Sequence, residues 1–302
     1  MKTLKIAALT IGLSLVGSAL ACSEDGKGGF VPENNLNIPE GKAFGGITEA
    51  QFHNSIDRVV AIYEPVIANM GAKLAVEKRW SDGTVNAYAQ QSGKTYKVSM
   101  FGGLARHETI TEDGMSLVVC HEIGHHIGGA PKKGGSVSDG GWWGGGASAS
   151  SWASNEGQAD YFATLKCLRK TFLNDDNASI VRTLNAPEPL IKACNKANKN
   201  HKDDSALCVR MGMAGKSVSD LFSALSKLPE TKFETPDAKV VNSTDDNHPK
   251  SQCRLDTYFQ GSLCEINFNE DVSQTDEVKG TCHPSLGHTI GNRPLCWFKP
   301  KQ

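Results

Sequence analysis

His121-Glu122-Ile123-Gly124-His125 sets two imidazoles four residues apart with a carboxylate between them. On a helix, residues four apart share a face, so both rings can reach one ion, while Glu122 is rotated by about 100°. That rotation keeps its carboxylate near a metal-held water without making it a ligand. Zinc suits two imidazoles plus a carboxylate, and a catalytic site keeps one position open for water. The metal lowers the pKa of that water toward ~7, and a neighbouring carboxylate can take its proton. The chemistry expected is metal-assisted hydrolysis with Glu122 as general base. Taken alone, the pattern also fits a surface helix with solvated histidines, or a core histidine bonded to a carbonyl. Its setting argues otherwise, because Leu117, Val118 and Val119 precede it and Gly128-Gly129 with Pro131 close it.

Two imidazoles need a third protein ligand. One known extension of the pattern places a Gly three residues after the second His and a third His three beyond that. Gly128 fits, but the last position is Pro131, which cannot ligate. Asn155-Glu156-Gly157-Gln158-Ala159-Asp160 instead supplies a carboxylate and, one helical turn later, a second acid. The expected ligand set is therefore His121, His125 and Glu156, one zinc per chain. Asp160 accepts the outer N–H of a ligand imidazole and fixes its tautomer. The plainer account of both acids is a solvated helix N-terminus, where acids are favoured anyway. His126 points about 100° away from His125 and is excluded. His53, His107, His201, His283 and His288 have no partner at metal spacing and read as surface histidines. Cys120 cannot easily turn to the same ion as His121 and reads as a disulfide or a buried thiol.

These residues need elements to hold them. Apolar positions from Phe52 to Val66 recur at helical spacing and predict one amphipathic helix from Ile47 to about Lys78. Thr84–Ala89 and Lys94–Phe101 read as a hairpin with Gly93 in the turn. Met115–Ile127 is the metal helix, entered through Thr111, Glu112 and Asp113. Residues 128–154 form a long Gly-Ser loop containing Trp142-Trp143. Further helices run from Glu156 to about Leu173 and on through Leu228. From Pro229 onward Cys253, Cys264, Cys282 and Cys296 lie among Gly, Pro and Asn, which reads as a loop-rich, disulfide-stapled tail. Short loops close most easily, which pairs Cys253 with Cys264 and Cys282 with Cys296.

The 302 residues are 39% hydrophobic and 22% charged, enough to bury a core. Basic and acidic side chains, 32 and 33, nearly cancel, so no nucleic-acid footprint is expected. Lys2 and Lys5 precede an uncharged apolar run from Ile6 to Leu20, with Ala19 and Ala21 flanking Leu20. That is the charge, length and small-residue pattern of a signal peptide over 1–21, and it is too short for a span. Cys22 follows directly and resembles the lipidation site of bacterial lipoproteins, although Ala19 stands where Leu is favoured. Setting Cys22 aside leaves eight of nine cysteines, an even number for an oxidising compartment. Ordinary cleavage leaving Cys22 as an odd thiol is the alternative. Ser23 resembles an outer-membrane sorting residue, giving a periplasmic-face lipoprotein, with residues 22–46 as a flexible tether.

The ordered blocks resemble the HtpX-type peptidases, the group that includes the CAAX prenyl proteases. Val85-Asn86-Ala87-Tyr88-Ala89 resembles their Asn-Ala-Phe strand, followed by Lys94–Met100 and Gly103-Leu104. His121–His125 and Glu156–Asp160 match their metal motifs, and His248-Pro249 with Arg254 matches a late His-Pro and Arg. The resemblance implies an α+β gluzincin metallopeptidase, mostly helical with a small edge sheet, spanning residues 47–254. It implies that Asn86 and Ala87 bind substrate backbone, that His248 polarises the scissile carbonyl, and that Arg254 stands beside the site. The substrate is a protein or peptide. The family's membrane helices are absent, the stretch between His125 and Glu156 is short, and residues 255–302 form an uncovered cysteine-rich extension. A lipoprotein that binds zinc for assembly work without hydrolysis is the rival reading. A secreted binding protein with incidental histidines is another.

Overall fold

Thr48 opens the first helix, α1 (Glu49–Asn69), with a reciprocal cap: Gln51 N–H donates to Thr48 Oγ1, and Thr48 N–H donates to Gln51 Oε1. The computed structural model describes residues 28–42, 45–134, 151–199 and 201–301. The signal peptide, Cys22, Ser23 and Trp142-Trp143 lie outside the described residues. Phe52, Ile56, Val59, Tyr63 and Ile67 are buried along one face of α1. The expected helix to Lys78 ends nine residues early. Gly71 takes a left-handed φ of 73°, which stops the helix, and Lys73–Arg79 extend as strand β1.

β2 (Ala87–Ser92) and β3 (Thr95–Phe101) pair antiparallel from Ala87↔Met100 to Ser92↔Thr95, around Gly93 at φ 55°. β1 adds in parallel on the other side of β3, from Lys73↔Thr95 to Arg79↔Phe101. The predicted hairpin is thus one half of a mixed sheet ordered β1-β3-β2, and its first strand begins at Ala87 rather than Thr84. A buried single turn, α2 (Gly102–Ala105), follows.

The central helix is α3 (Glu112–Ile127). Thr111 Oγ1 caps Gly114 N–H at 3.0 Å, and Glu112 and Asp113 sit in the first turn against the helix dipole. It is buried on every side from Gly114 to Ile127, because α1, α4, α8 and the sheet surround it. α4 (Glu156–Phe162) runs through a π-turn (Ala163–Cys167) into α5 (Leu168–Phe172). α6 (Asn177–Thr183), α7 (Glu188–Ala197) and the long α8 (Lys202–Ser226) follow.

The tail is less irregular than its composition suggests. Ser251–Leu263 form helix α9, with Arg254, Leu255 and Tyr258 buried. A domain boundary at 254/255 would cut this helix, so the extension and the body share one core. The disulfides also differ from expectation: Cys253 bonds Cys296, and Cys264 bonds Cys282. Cys253 lies on α9 and faces the C-terminal strip, with Trp297 and Phe298 packed beside it. Tertiary position, not loop length, chose the partners. Cys120 bonds Cys167, tying α3 to the π-turn, and Cys194 bonds Cys208.

Residues 28–42 are not a free tether either. Phe30, Val31 and Ile38 are buried in the main core. Fully burying one such side chain contributes about 1.5–3 kcal/mol, more than a short polar linker can resist. His283, read as a surface histidine, is also buried, with Nδ1 2.7 Å from Ser285 Oγ. No helix among the described residues is long and apolar enough to cross a membrane.

Candidate metal centre

His121 and His125 stand on the buried side of the last turns of α3, and Glu156 is the first residue of α4. Asn155 caps α4 by accepting Gln158 N–H at 2.9 Å, which fixes where that helix starts. One glycine lets the two helices close up, and a second lets the C-terminal strip pack on α4. A Cβ on Gly124 would press Ala159 backbone at 3.2 Å, and one on Gly157 would meet the Trp297 ring at 2.2 Å. Gln158 Nε2 donates to Gly128 O at 2.6 Å, stitching the end of α3 to α4. One ligand atom from each of His121, His125 and Glu156 lies within 4.8 Å of the others, and all three residues are buried. This group can hold a metal ion.

The ring orientations are set from outside. Asp160 Oδ1 can only accept, so His121 carries its proton on Nδ1 and donates across 2.8 Å. Ser154 carbonyl does the same for His125 Nδ1 at 2.8 Å. Both Nε2 atoms therefore face inward, and a metal bound there would take the place of any proton on them. Asp160 is itself held by Arg254 Nη2 at 2.6 Å and by Tyr258 O–H at 2.6 Å, both from α9. The sequence-level pairing of Asp160 with a ligand histidine, and of Arg254 with the site, is what the structure brings together. Tyr258 was missed, although its i+4 spacing from Arg254 on a helix is a legible signal. The Ser154 contribution was not legible, because a backbone carbonyl leaves no side-chain trace.

Electrostatics follow from the burial. Burial raises the Glu122 carboxyl to about 7, opposed by His121. Burial works against a charged His121, but Asp160 and Glu156 outweigh it and hold its pKa at about 9. Burial alone would raise Glu156, yet His248, Lys133, His125 and His121 hold it well below the usual carboxylate range. Lys133, another residue the sequence did not single out, sits with Nζ 2.7 Å from Glu156 Oε1. His126 is confirmed as no member of the set. It is sandwiched between Tyr96 and Trp152, both 4.7 Å away centroid to centroid, and burial lowers it to about 3.

The donor chemistry fits a cation. His121 Nε2, both Glu122 oxygens and Glu156 Oε2 are buried with no hydrogen-bond partner among the described residues. Glu156 Oε2 approaches His121 Nε2 at 3.3 Å and His248 Nε2 at 3.2 Å, but without hydrogen-bond alignment.

His248 also reaches the site, about one-fifth exposed, and its Nε2 lies 2.9 Å from Gly29 carbonyl. Asn86 and Ala87, expected to bind substrate backbone, are buried, and their polar groups hold this chain's own backbone. Phe30 N–H donates to Ala87 O at 2.9 Å, Val31 N–H donates to Asn86 Oδ1 at 3.1 Å, and Asn86 Nδ2 donates to Val31 O at 3.2 Å. No protein-family model matches the chain, and no curated protein and no solved structure matches it.

Proposed function

We propose that the chain is a zinc-dependent endopeptidase that acts on exported or misfolded proteins of the cell envelope. One observation carries the reading: four polar atoms of His121, Glu122 and Glu156 are buried without a hydrogen-bond partner among the described residues, beside a His121, His125 and Glu156 group that could hold a metal ion. Leaving a buried polar group open costs about 1–3 kcal/mol, which a bound cation and its substrate offset. Two imidazoles and a carboxylate suit zinc. When bound, zinc would supply Lewis acidity toward a water and a peptide carbonyl.

The chain's own residues do the rest. Glu122 belongs to the metal helix but is not a ligand, and burial keeps its pKa near 7. A base so tuned can accept a proton from water and return it to the leaving nitrogen. His248 donates Nε2–H to a carbonyl, as its bond to Gly29 illustrates, and so stabilises negative charge developing on that oxygen. Arg254 and Tyr258 keep Asp160 in place behind His121. Lipid anchoring through Cys22 and a site on the periplasmic face of the outer membrane belong to the same reading. Four disulfides support an oxidising compartment.

Glu122→Gln tests the assignment. It keeps the shape but cannot take a proton, so cleavage of an unfolded protein should fall by at least ~10²-fold. Zinc content and thermal midpoint should stay at wild-type values. Wild-type protein that holds zinc and cuts nothing would instead favour the assembly-factor reading.

A further inference from the structure

A peptide segment already lies beside the candidate metal centre: the chain's own residues 28–31. Gly29 carbonyl accepts from His248 Nε2 at 2.9 Å, and the N–H of the same amide, on Phe30, donates to Ala87 O at 2.9 Å. Both ends of the Gly29–Phe30 peptide bond are thus gripped, one by the histidine beside the metal ligands and one by the sheet edge. Downstream, Arg254 Nη1 donates to Phe30 O at 3.1 Å, and Asn86 brackets Val31 with its N–H and its carbonyl. The Phe30 side chain is fully buried. Its ring lies 4.8 Å from the His121 ring and 5.3 Å from Phe222, with the Arg254 guanidinium carbon 4.8 Å from its centroid. Gly29 is the only residue type that fits its place, because a Cβ there would meet Asn86 Oδ1 at 2.3 Å. Asn86 cannot swing aside while it holds Val31.

We infer that residues 28–31 are bound as a substrate and that the enzyme cuts its own Gly29–Phe30 bond. This rests on the peptidase reading of the same site. Water adds to the Gly29 carbonyl carbon, the bond to the Phe30 nitrogen breaks, and both water hydrogens end on that nitrogen by way of Glu122. The products are a Gly29 carboxylate and a Phe30 ammonium group. The cut severs everything before Phe30 from the catalytic body, Cys22 included. No disulfide would retain the released piece, because the other eight cysteines are paired among themselves. Self-cleavage would therefore convert an anchored enzyme into a freely diffusing one. The same geometry gives the preference for other substrates: glycine before the cut bond and a large apolar residue after it.

The experiment follows the N-terminus of the full chain by intact mass and N-terminal sequencing after metal removal and zinc addition, alongside an added peptide containing Gly-Phe. Wild type should acquire an N-terminus at Phe30 with a half-life independent of protein concentration, while Glu122→Gln and Gly29→Ala stay intact. Phe30→Leu, which keeps the pocket filled, should still be cut. If the added peptide is cleaved but residues 28–31 stay whole, self-cleavage is overturned and the peptidase reading stands. A half-life that shortens in proportion to concentration also overturns it, because the segment is bound within its own chain. If neither the peptide nor the N-terminus is cut, both readings fail.

Discussion

Helix α3 carries a charge cluster at each end, half-buried at the N-terminal end and fully buried at the C-terminal end, and the two are built to opposite rules. At the N-terminal end Asp113 takes Arg210 Nε and Nη2, each at 2.7 Å. Asp175 takes Arg210 Nη1 at 2.7 Å and also binds Arg58, and Asn177 Oδ1 accepts from Nη1 at 3.0 Å. The Arg210 guanidinium lies over the Phe172 ring at 3.8 Å. No side-chain polar atom of Arg210, Asp113 or Asp175 is buried without a partner. At the C-terminal end, four atoms of His121, Glu122 and Glu156 have no hydrogen-bond partner among the described residues, although they are the more deeply buried set. Buried polar groups are nearly always paired, so an open set needs a reason outside the chain. A closed cluster holds a fold together, whereas an open one awaits something the fold does not contain.

The difference can be broken most severely at the open end. Glu156→Ala should remove zinc altogether, measured as metal per chain after dialysis, since it takes away one of three protein ligands. Full retention would end the ligand assignment. At the closed end, Arg210→Met should cost about 1.5–3 kcal/mol in denaturant unfolding, because it takes charge-assisted hydrogen bonds from the half-buried Asp113 and Asp175. Zinc stoichiometry should not change under native conditions. A variant that lost its metal with no loss of stability would show that the two clusters are one network.

Smaller changes sharpen the contrast. Asp160→Asn should weaken zinc affinity by about 10–100-fold without abolishing it, since the residue orients a ligand rather than binding the metal. Competition with a chelator of known affinity would read this directly. The smallest effect concerns Asp256, a buried acid whose hydrogen-bond partners are neutral: Asp237 N–H at 2.7 Å and Gln252 Nε2 at 2.8 Å. Burial pushes its carboxyl up to about 6. A raised folded-state pKa means the stabilising contribution is present below about 4 and is lost as pH rises through about 6. Asp256→Asn should therefore gain a few degrees in thermal midpoint relative to wild type at pH 7 and nothing at pH 4. A gain that is equal at both values would remove titration as its cause.

Local chemistry explains which parts could be read in advance. Thr111, the two acids after it, the apolar turn and Gly128 delimit α3 because caps and breakers act within one turn. The HExxH spacing and the later Glu-Asp pair were legible for the same reason, since i+4 geometry is intrinsic to a helix. The overrun of α1 came from Gly71, whose left-handed backbone ended a pattern that the side chains alone would have continued. α9 was hidden by a tail composition rich in Gly, Pro and Asn, yet Arg254, Leu255 and Tyr258 face the core and carry the helix.

The sequence by itself determined the types and spacing of the residues that could hold a metal ion, the carboxylate between the two histidines, and an even set of eight cysteines that the structure pairs. Only the tertiary structure decided what surrounds them. Asp160 meets His121 across 39 residues, Arg254 meets Asp160 across 94, and Gly29 meets His248 across 219. Those approaches depend on helices docking through Gly124, on the C-terminal strip packing at Gly157, and on Phe30 having a pocket to fill. Hydrogen bonds between distant segments cannot be read from periodicity, because periodicity reports which face of an element is buried and not what buries it. The disulfide partners of Cys253 and Cys264 changed for that reason. So did the place of residues 28–31, Gly-Gly-Phe-Val inside a stretch rich in Gly, Asn, Glu and Pro that reads as a tether, which the fold draws in beside His121 and His248.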